Sequence, residues 1–185
     1  EEGLKLFKEL VSVADVVVDN FSQGVTQRLG IDHQSLKKVN PKIITCSISG
    51  FGDTELNRPA YDNLIQGYAG AMSITGTDKE NPVKSGIPIA DLGAGLYAVI
   101  GILSAIQSRE KNDSGEHVDI SMLDTQVSLL TYMATMHFLS GENPEPIGNQ
   151  HMNHVPFNSY RTSDGFIQIG VVAEDFWPSL IEALD

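Results

Sequence analysis

The chain has 185 residues, 41% of them hydrophobic and 19% charged, which is enough to build a real core in one domain or one and a half. Acids outnumber bases 24 to 12, for a net charge of -12. A field of that sign repels phosphate backbones and excludes broad nucleic-acid binding, while leaving room for a small anion held in a local basic pocket. Cys46 is the single cysteine, so an internal disulfide framework and a multi-cysteine zinc site are excluded, and a reducing compartment is expected: the cytoplasm, or the mitochondrion or peroxisome of a eukaryote.

The sequence begins with Glu inside a helical pattern, in which Leu4, Leu6, Phe7, Leu10 and Val11 predict a helix over residues 2–13. Residues 14–18 are a short β-branched run, expected to be a strand buried on both faces of a parallel sheet. Asp19 to Ser22 follow its C-terminal end, where α/β sheets place ligands. Residues 25–29 and 32–39 read as short helices, the second stopped by Asn40 and Pro41. Residues 42–48 are a second β-rich run with Ser49, Gly50, Phe51 and Gly52 as its exit loop. Strand, helix and strand at this spacing make a right-handed βαβ unit, half of a Rossmann-like parallel sheet.

Residues 53–60 read as a loop, 61–71 as a helix and 75–82 as a charged turn. Pro88, Ile89 and Ala90 lead into Asp91 and a long apolar helix over 92–110. Its most apolar stretch carries Gly93 and Gly95 near its start and is expected to be a buried helix rather than a membrane span. A solvated turn at 111–115, a strand at 117–121 and a second long helix over 122–140 follow. Residues 141–149 resemble a linker, and Ser163, Asp164 and Gly165 mark a hairpin turn. The expected division is a Rossmann-like large-domain part over 1–145, then a linker and the start of a smaller α+β domain over 146–185. Residues 178–185 stop inside another apolar helix pattern, so the sequence reads as an excerpt of a longer chain, with no signal-peptide architecture at residue 1.

Asp91 is the first candidate for chemistry. One reading is a helix N-cap, its side chain bonding the free N–H groups of the first turn. The other is a carboxylate nucleophile beside a glycine-lined pocket, with backbone N–H groups as oxyanion donors. Gly93-Ala-Gly95-Leu-Tyr-Ala98 fits the dinucleotide fingerprint, yet Asp91 would repel a pyrophosphate there, and the acidic ribose partner would fall in a polar turn. Gly93 and Gly95 are instead expected to allow close helix packing. Asn20, Phe21 and Arg28 form a second cluster, in which Phe21 suits an adenine and Arg28 a phosphate, or else a cap, a core aromatic and a surface arginine. Asp62 suits a cap and Tyr61 a hydrogen-bond donor. The five histidines show no metal-ligand spacing, and no metal site is expected.

Ordered along the chain, these pieces resemble the family III CoA-transferases, the group that includes formyl-CoA, carnitinyl-CoA and succinyl-CoA-dependent transferases and the α-methylacyl-CoA racemases. The matching stretches are Ala14-Asp-Val-Val-Val-Asp-Asn-Phe21 with Arg28-Leu-Gly30, Asn40-Pro-Lys-Ile-Ile44 with Ser49-Gly-Phe-Gly52, Arg58-Pro-Ala-Tyr-Asp-Asn-Leu-Ile-Gln66, Ile89-Ala-Asp-Leu-Gly-Ala-Gly95, Gly115-Glu-His-Val-Asp-Ile-Ser-Met122 and Tyr160-Arg-Thr-Ser-Asp-Gly165.

The resemblance implies an enzyme that moves CoA from an acyl-CoA donor to a carboxylic acid acceptor. The family's catalytic aspartate falls on Asp91, which passes through a mixed anhydride and an aspartyl-CoA thioester. By the same resemblance Asn20, Phe21 and Arg28 contact the CoA nucleotide, and Tyr61 and Asp62 line the acyl site. CoA enters as a substrate thioester and no bound cofactor is implied; the expected assembly is an interlocked homodimer without nucleic-acid or membrane partners. The racemase branch carries a histidine base where this chain has Tyr61; a phenol is a poor proton acceptor at pH 7, which favours transfer over racemisation. Some transferases carry a lysine near Arg58 and Pro59. The alternatives are a racemase or carnitinyl-CoA-type enzyme of the same superfamily and, from another class, a non-catalytic nucleotide-binding module.

Overall fold

The computed structural model describes residues 1–54, 56 and 58–184; the loop expected over 53–60 and the helix expected over 178–185 therefore lie partly outside the described residues. Helix α1 (Glu2–Val11) leads into strand β1 (Val16–Asp19), short helices α2 (Val25–Leu29) and α3 (His33–Lys37), and strand β2 (Ile44–Ser49). Asp32 caps α3, its carboxylate accepting from the Ser35 N–H at 3.1 Å and the Ser35 hydroxyl at 2.6 Å. Val11, Leu36 and Ile43 close a small core over this crossover.

Strand β3 (His117–Ser121) completes a three-stranded parallel sheet in the order β1-β2-β3, with Thr45 opposite both Val17 and His117. Ile44, Thr45 and Cys46 of the central strand are buried. The expectation that β1 is buried on both faces does not hold: Val18 is 54% exposed, because among the described residues β1 is an edge strand.

Helix α4 (Asp62–Tyr68) is shorter than the expected 61–71 helix, and a 3₁₀ turn (Ala71–Ile74) follows Gly70, which adopts a left-handed φ of 80°. Helix α5 (Ile89–Asn112) runs back along the sheet for 24 residues. By length and composition it suffices to cross a membrane, with a mean hydropathy of 1.9 over its most apolar window. It is not the fully buried helix expected from its composition. Ala90, Gly93, Ala94, Ala98 and Ala105 face the protein, while Leu92, Leu96, Val99, Ile100 and Leu103 are exposed. Small residues inward let the helix approach closely, as at Gly101, where a Cβ would stand 2.6 Å from Val118 Cγ1. The bulky side chains are thereby left on the outer face.

The single helix expected over 122–140 is two helices, α6 (Met122–Ser128) and α7 (Tyr132–Ser140). The α6 ladder tightens as the Leu129 N–H reaches both Thr125 O and Gln126 O and the Leu130 N–H bonds Val127 O. Thr131 then adopts φ 49° and ψ -120°. No glycine or proline signals this break, and apolar side chains continue through it.

No helix or strand falls between Ser140 and Phe157, and the segment is tied back by the Gly148 N–H to Gly76 O bond and by Lys79–Glu145. Strands β4 (Phe157–Arg161) and β5 (Phe166–Gly170) form the expected antiparallel hairpin, followed by helix α8 (Phe176–Leu184).

Candidate active site

At the C-terminal ends of the strands the chain leaves the sheet in loops that are fastened to one another. Asn20, just past β1, donates its amide to Ile48 O of β2 at 2.6 Å. Gly52 adopts φ 71° and gives its N–H to Ser49 Oγ at 3.0 Å. A Cβ on Gly50 would overlap Ala60 Cβ at 2.1 Å, so glycine there lets the segment before α4 lie against the β2 exit. The first turns of α4 and α5 meet over this platform and enclose a cavity of about 430 Å³.

The cavity brings together Asn20, Phe21, Tyr61, Asp62 and Asp91, five positions singled out by the sequence, although they span more than seventy residues of chain. Arg28 is not among its lining residues; it is exposed on α2, and the nucleotide contact that the resemblance implied for it has no support from this cavity. Phe21 and Tyr61 are exposed at 49% and 70%, leaving their rings open to a ligand face.

The two carboxylates have different surroundings. Asp62 is the first residue of α4, whose N-cap position is occupied by Tyr61. Its carboxylate does not cap α4. One oxygen accepts the Ala90 N–H at 2.9 Å and, more weakly, the Asp91 N–H at 3.4 Å; the other accepts from Gln66 Nε2 at 2.6 Å. Asp62 therefore caps α5 from a neighbouring helix, satisfying N–H groups that no residue of α5 can reach. Gln66 is 1% exposed and its Oε1 accepts the Ser85 N–H at 2.8 Å, which pins the segment leading into α5.

Asp91 is free of that duty. The N-cap reading of Asp91 fails, because the N-cap position is Pro88 and Asp91 lies within the first turn. Among the described residues its carboxylate takes no hydrogen bond or ion pair. Although Asp91 as a residue is exposed, desolvation of its carboxylate, and then the nearby Asp62 charge, hold its pKa above the ordinary aspartate value. The positive end of α5 would ordinarily oppose that shift, but Asp62 already occupies the N–H groups that carry it. The result is a carboxylate that faces the cavity without a partner among the described residues and with its pKa held above the ordinary value.

Sequence reasoning missed Gln23, Leu56 and Met122 as lining residues, and met Arg58 only as the position where some transferases carry a lysine, leaving a CoA contact there open. Arg58 is the single cation among the described lining residues, so in a chain of this charge it is the cavity's local source of positive potential. The paired expectation for Gly93 and Gly95 divides. Gly93 does serve packing, since its Cβ would stand 3.0 Å from Thr125 Cγ2, but a Cβ on Gly95, which lines the cavity, would meet nothing within 4 Å among the described residues.

A second recess of about 240 Å³ lies over the sheet face bearing Thr45, Asp19 and Asp119. The Thr45 hydroxyl is shared by His33 Nδ1 at 2.9 Å and His117 Nδ1 at 2.8 Å. Desolvation, and then the neighbouring His117, lower the His33 pKa.

The sequence model of CoA-transferase family III, a family of CoA-transferases, matches residues 1–185. The chain belongs to CoA-transferase family III. A succinate–glutarate CoA-transferase of Agrobacterium fabrum is 38% identical over 172 residues, covering 92% of this chain and 43% of that protein. A succinyl-CoA:mesaconate CoA-transferase of Haloarcula hispanica is 34% identical over 191 residues, covering 100% of this chain and 48% of that protein. The crystal structure of a CaiB/BaiF family protein from Brucella suis superposes with a TM-score of 0.91 at 39% identity, covering 100% of this chain and 49% of that one. The chain thus spans about half the length of the curated relatives it matches.

Proposed function

We propose that the protein transfers CoA from an acyl-CoA to a carboxylic acid, with Asp91 as the covalent carrier. The observation that carries this reading is the Asp91 carboxylate, which has no hydrogen-bond or ion-pair partner among the described residues and faces a cavity that also collects Asn20, Phe21 and Tyr61. Membership in a family of CoA-transferases independently supports the CoA-transfer part of this reading.

In this proposal the Asp91 carboxylate attacks the donor thioester carbonyl, forming an acyl-aspartyl anhydride and expelling CoA thiolate. The thiolate attacks the aspartyl carbonyl, giving an aspartyl-CoA thioester and releasing the donor acid. The acceptor carboxylate repeats the attack on that thioester, again forming an anhydride and freeing the thiolate. Attack of the thiolate on the acceptor's acyl carbonyl then yields the new acyl-CoA and regenerates Asp91. An enzyme carboxylate splits the exchange into two half-reactions and keeps the acyl link activated between donor and acceptor. A carboxylate of raised pKa is the stronger nucleophile, and desolvation beside the Asp62 charge acts in that direction. Asn20 and Phe21 sit on the same cavity wall, where an amide and an exposed ring suit the CoA end. Tyr61 and Asp62 border the acyl end, and the Arg58 guanidinium offers a counter-charge to an incoming acid.

The relatives above are named for dicarboxylic acids, so dicarboxylates are the first acceptors to try. The test is a CoA-transfer screen of the full-length protein with succinyl-CoA and acetyl-CoA over dicarboxylic and branched acids. Transfer by the wild type and a loss of at least 10³-fold in Asp91→Ala is the expected result. Normal transfer by Asp91→Ala would remove the carrier. Deuterium wash-in at the α-carbon of a 2-methylacyl-CoA, without transfer, would replace the reading by racemisation.

A further inference from the structure

Three glycines lie within α5, and their surroundings differ. A Cβ on Gly93 would come within 3.0 Å of Thr125 Cγ2 and 3.3 Å of Leu129 Cδ1, and one on Gly101 within 2.6 Å of Val118 Cγ1. Those two let the helix lie close against α6 and β3. A Cβ on Gly95 would meet nothing within 4 Å. Gly95 is nevertheless inside a helix, where glycine is less favourable than alanine because it loses more backbone freedom on folding. Neither packing nor backbone conformation within the described residues accounts for that cost, since Gly95 is helical with an ordinary negative φ.

Its position supplies a reason. Gly95 lines the same cavity as Asp91 and stands four residues after it, so the two are neighbours on one face of the helix. The space left by the absent side chain therefore adjoins the carboxylate that the proposed reaction uses.

We propose that Gly95 is a specificity-determining position, the bare stretch of helix against which the acyl group of the CoA thioester lies while its carbonyl carbon meets Asp91. This rests on the CoA-transfer reading and adds to it the element that sets how wide the acyl group is beside its carbonyl. A methyl on residue 95 pushes that group off the helix, and a misplacement of about 1 Å costs on the order of 10²-fold in rate. Acyl groups branched at the carbon next to the carbonyl are widest there and lose most.

The test uses full-length Gly95→Ala and Gly95→Val, with Gly93→Ala as the packing control. Three quantities are read: melting temperature, affinity for acetyl-CoA and isobutyryl-CoA by calorimetry, and kcat/KM for transfer from each. Gly95→Ala is expected to melt at or above the wild-type temperature while kcat/KM falls at least tenfold. Valine should cost more than alanine, and isobutyryl-CoA more than acetyl-CoA. Gly93→Ala is expected to melt lower. A Gly95→Ala protein that melts lower, with activity falling in step, would assign the glycine to packing and overturn the proposal; so would unchanged affinity and kcat/KM in Gly95→Val. If the wild type binds acyl-CoA without transferring it, the transfer reading fails, and the affinity arm decides Gly95 alone: a tenfold weakening in Gly95→Val retains it and an unchanged affinity removes it. A wild type that binds no acyl-CoA overturns both.

Discussion

The two ends of the sheet are built on opposite principles. At the N-terminal ends of the strands the backbone is packed to its limit. Gly115 gives its N–H to Pro41 O at 2.9 Å, and a Cβ on it would fall 1.9 Å from Ile43 O. There Arg109, near the end of α5, reaches Lys42 O at 3.2 Å and Asp15 Oδ1 at 2.8 Å, with its side chain only 18% exposed. At the C-terminal ends the loops stand apart around a cavity, the carboxylates of Asp62 and Asp91 lie near one another, and Asp91 has no partner among the described residues. The first end is satisfied within the chain, so its residues report on stability. The second leaves a reactive group unsatisfied, so its residues report on a ligand.

This contrast is sharpest at Gly115. Gly115→Ala forces the Lys42–Ile43 backbone leading into β2 to move and is expected to destabilise the protein by about 3 kcal/mol or more, with kcat/KM of the surviving folded fraction little changed. Denaturant titration alongside the transfer assay checks it, and a stable variant would mean the closed end is looser than its geometry.

Asp62→Ala tests the boundary between the two regimes, since Asp62 is both a cap and a neighbouring charge. Removing it uncaps α5, at about 1 kcal/mol, and strips a partner from the buried Gln66 amide, at roughly 1–3 kcal/mol. Activity should change in a distinct way. Asp91 must be ionised to attack, so its raised pKa places the acid limb of kcat/KM above that of an ordinary aspartate. Loss of the Asp62 charge moves that limb to lower pH. A limb that stays in place in Asp62→Ala would leave desolvation as the sole cause.

The smallest effect belongs to His33. Its folded pKa is lowered from 6.5, so the unfolded chain binds the proton more readily and stability falls as the pH drops below about that ordinary value. In His33→Gln, which can still bond Thr45, the melting temperature should decline less steeply over that range. An identical slope would place the titration elsewhere.

Much of this was legible in the sequence because local rules agreed with the fold. The β-branched runs became β1 and β2, and Ser163-Asp-Gly165 turned the β4–β5 hairpin as its composition required. Asp91, Asp62, Tyr61, Asn20 and Phe21 were each visible as residues at element ends, and the resemblance ordered them; their convergence on one cavity is a property of the crossovers. What stayed hidden depended on partners distant in sequence. Asp62 resembles a cap for α4 until the Ala90 N–H is seen 28 residues away. The α6–α7 break at Thr131 carries no glycine or proline, and Gly93 and Gly95 look alike until Thr125 is found beside only one of them. Arg28 stands exposed on α2 outside the cavity's lining, a placement that seven residues of spacing do not reveal, since spacing does not say which way a short helix faces.

The account rests on Asp91 becoming covalently bound to its cargo. The most direct measurement is to mix full-length protein with acyl-CoA, quench rapidly with hydroxylamine or borohydride, and map the modified peptide by mass spectrometry. The account predicts a hydroxamate or reduced side chain at Asp91, formed only when acyl-CoA is present and accompanied by loss of transfer. An unmodified Asp91 in an enzyme that goes on transferring CoA would contradict it.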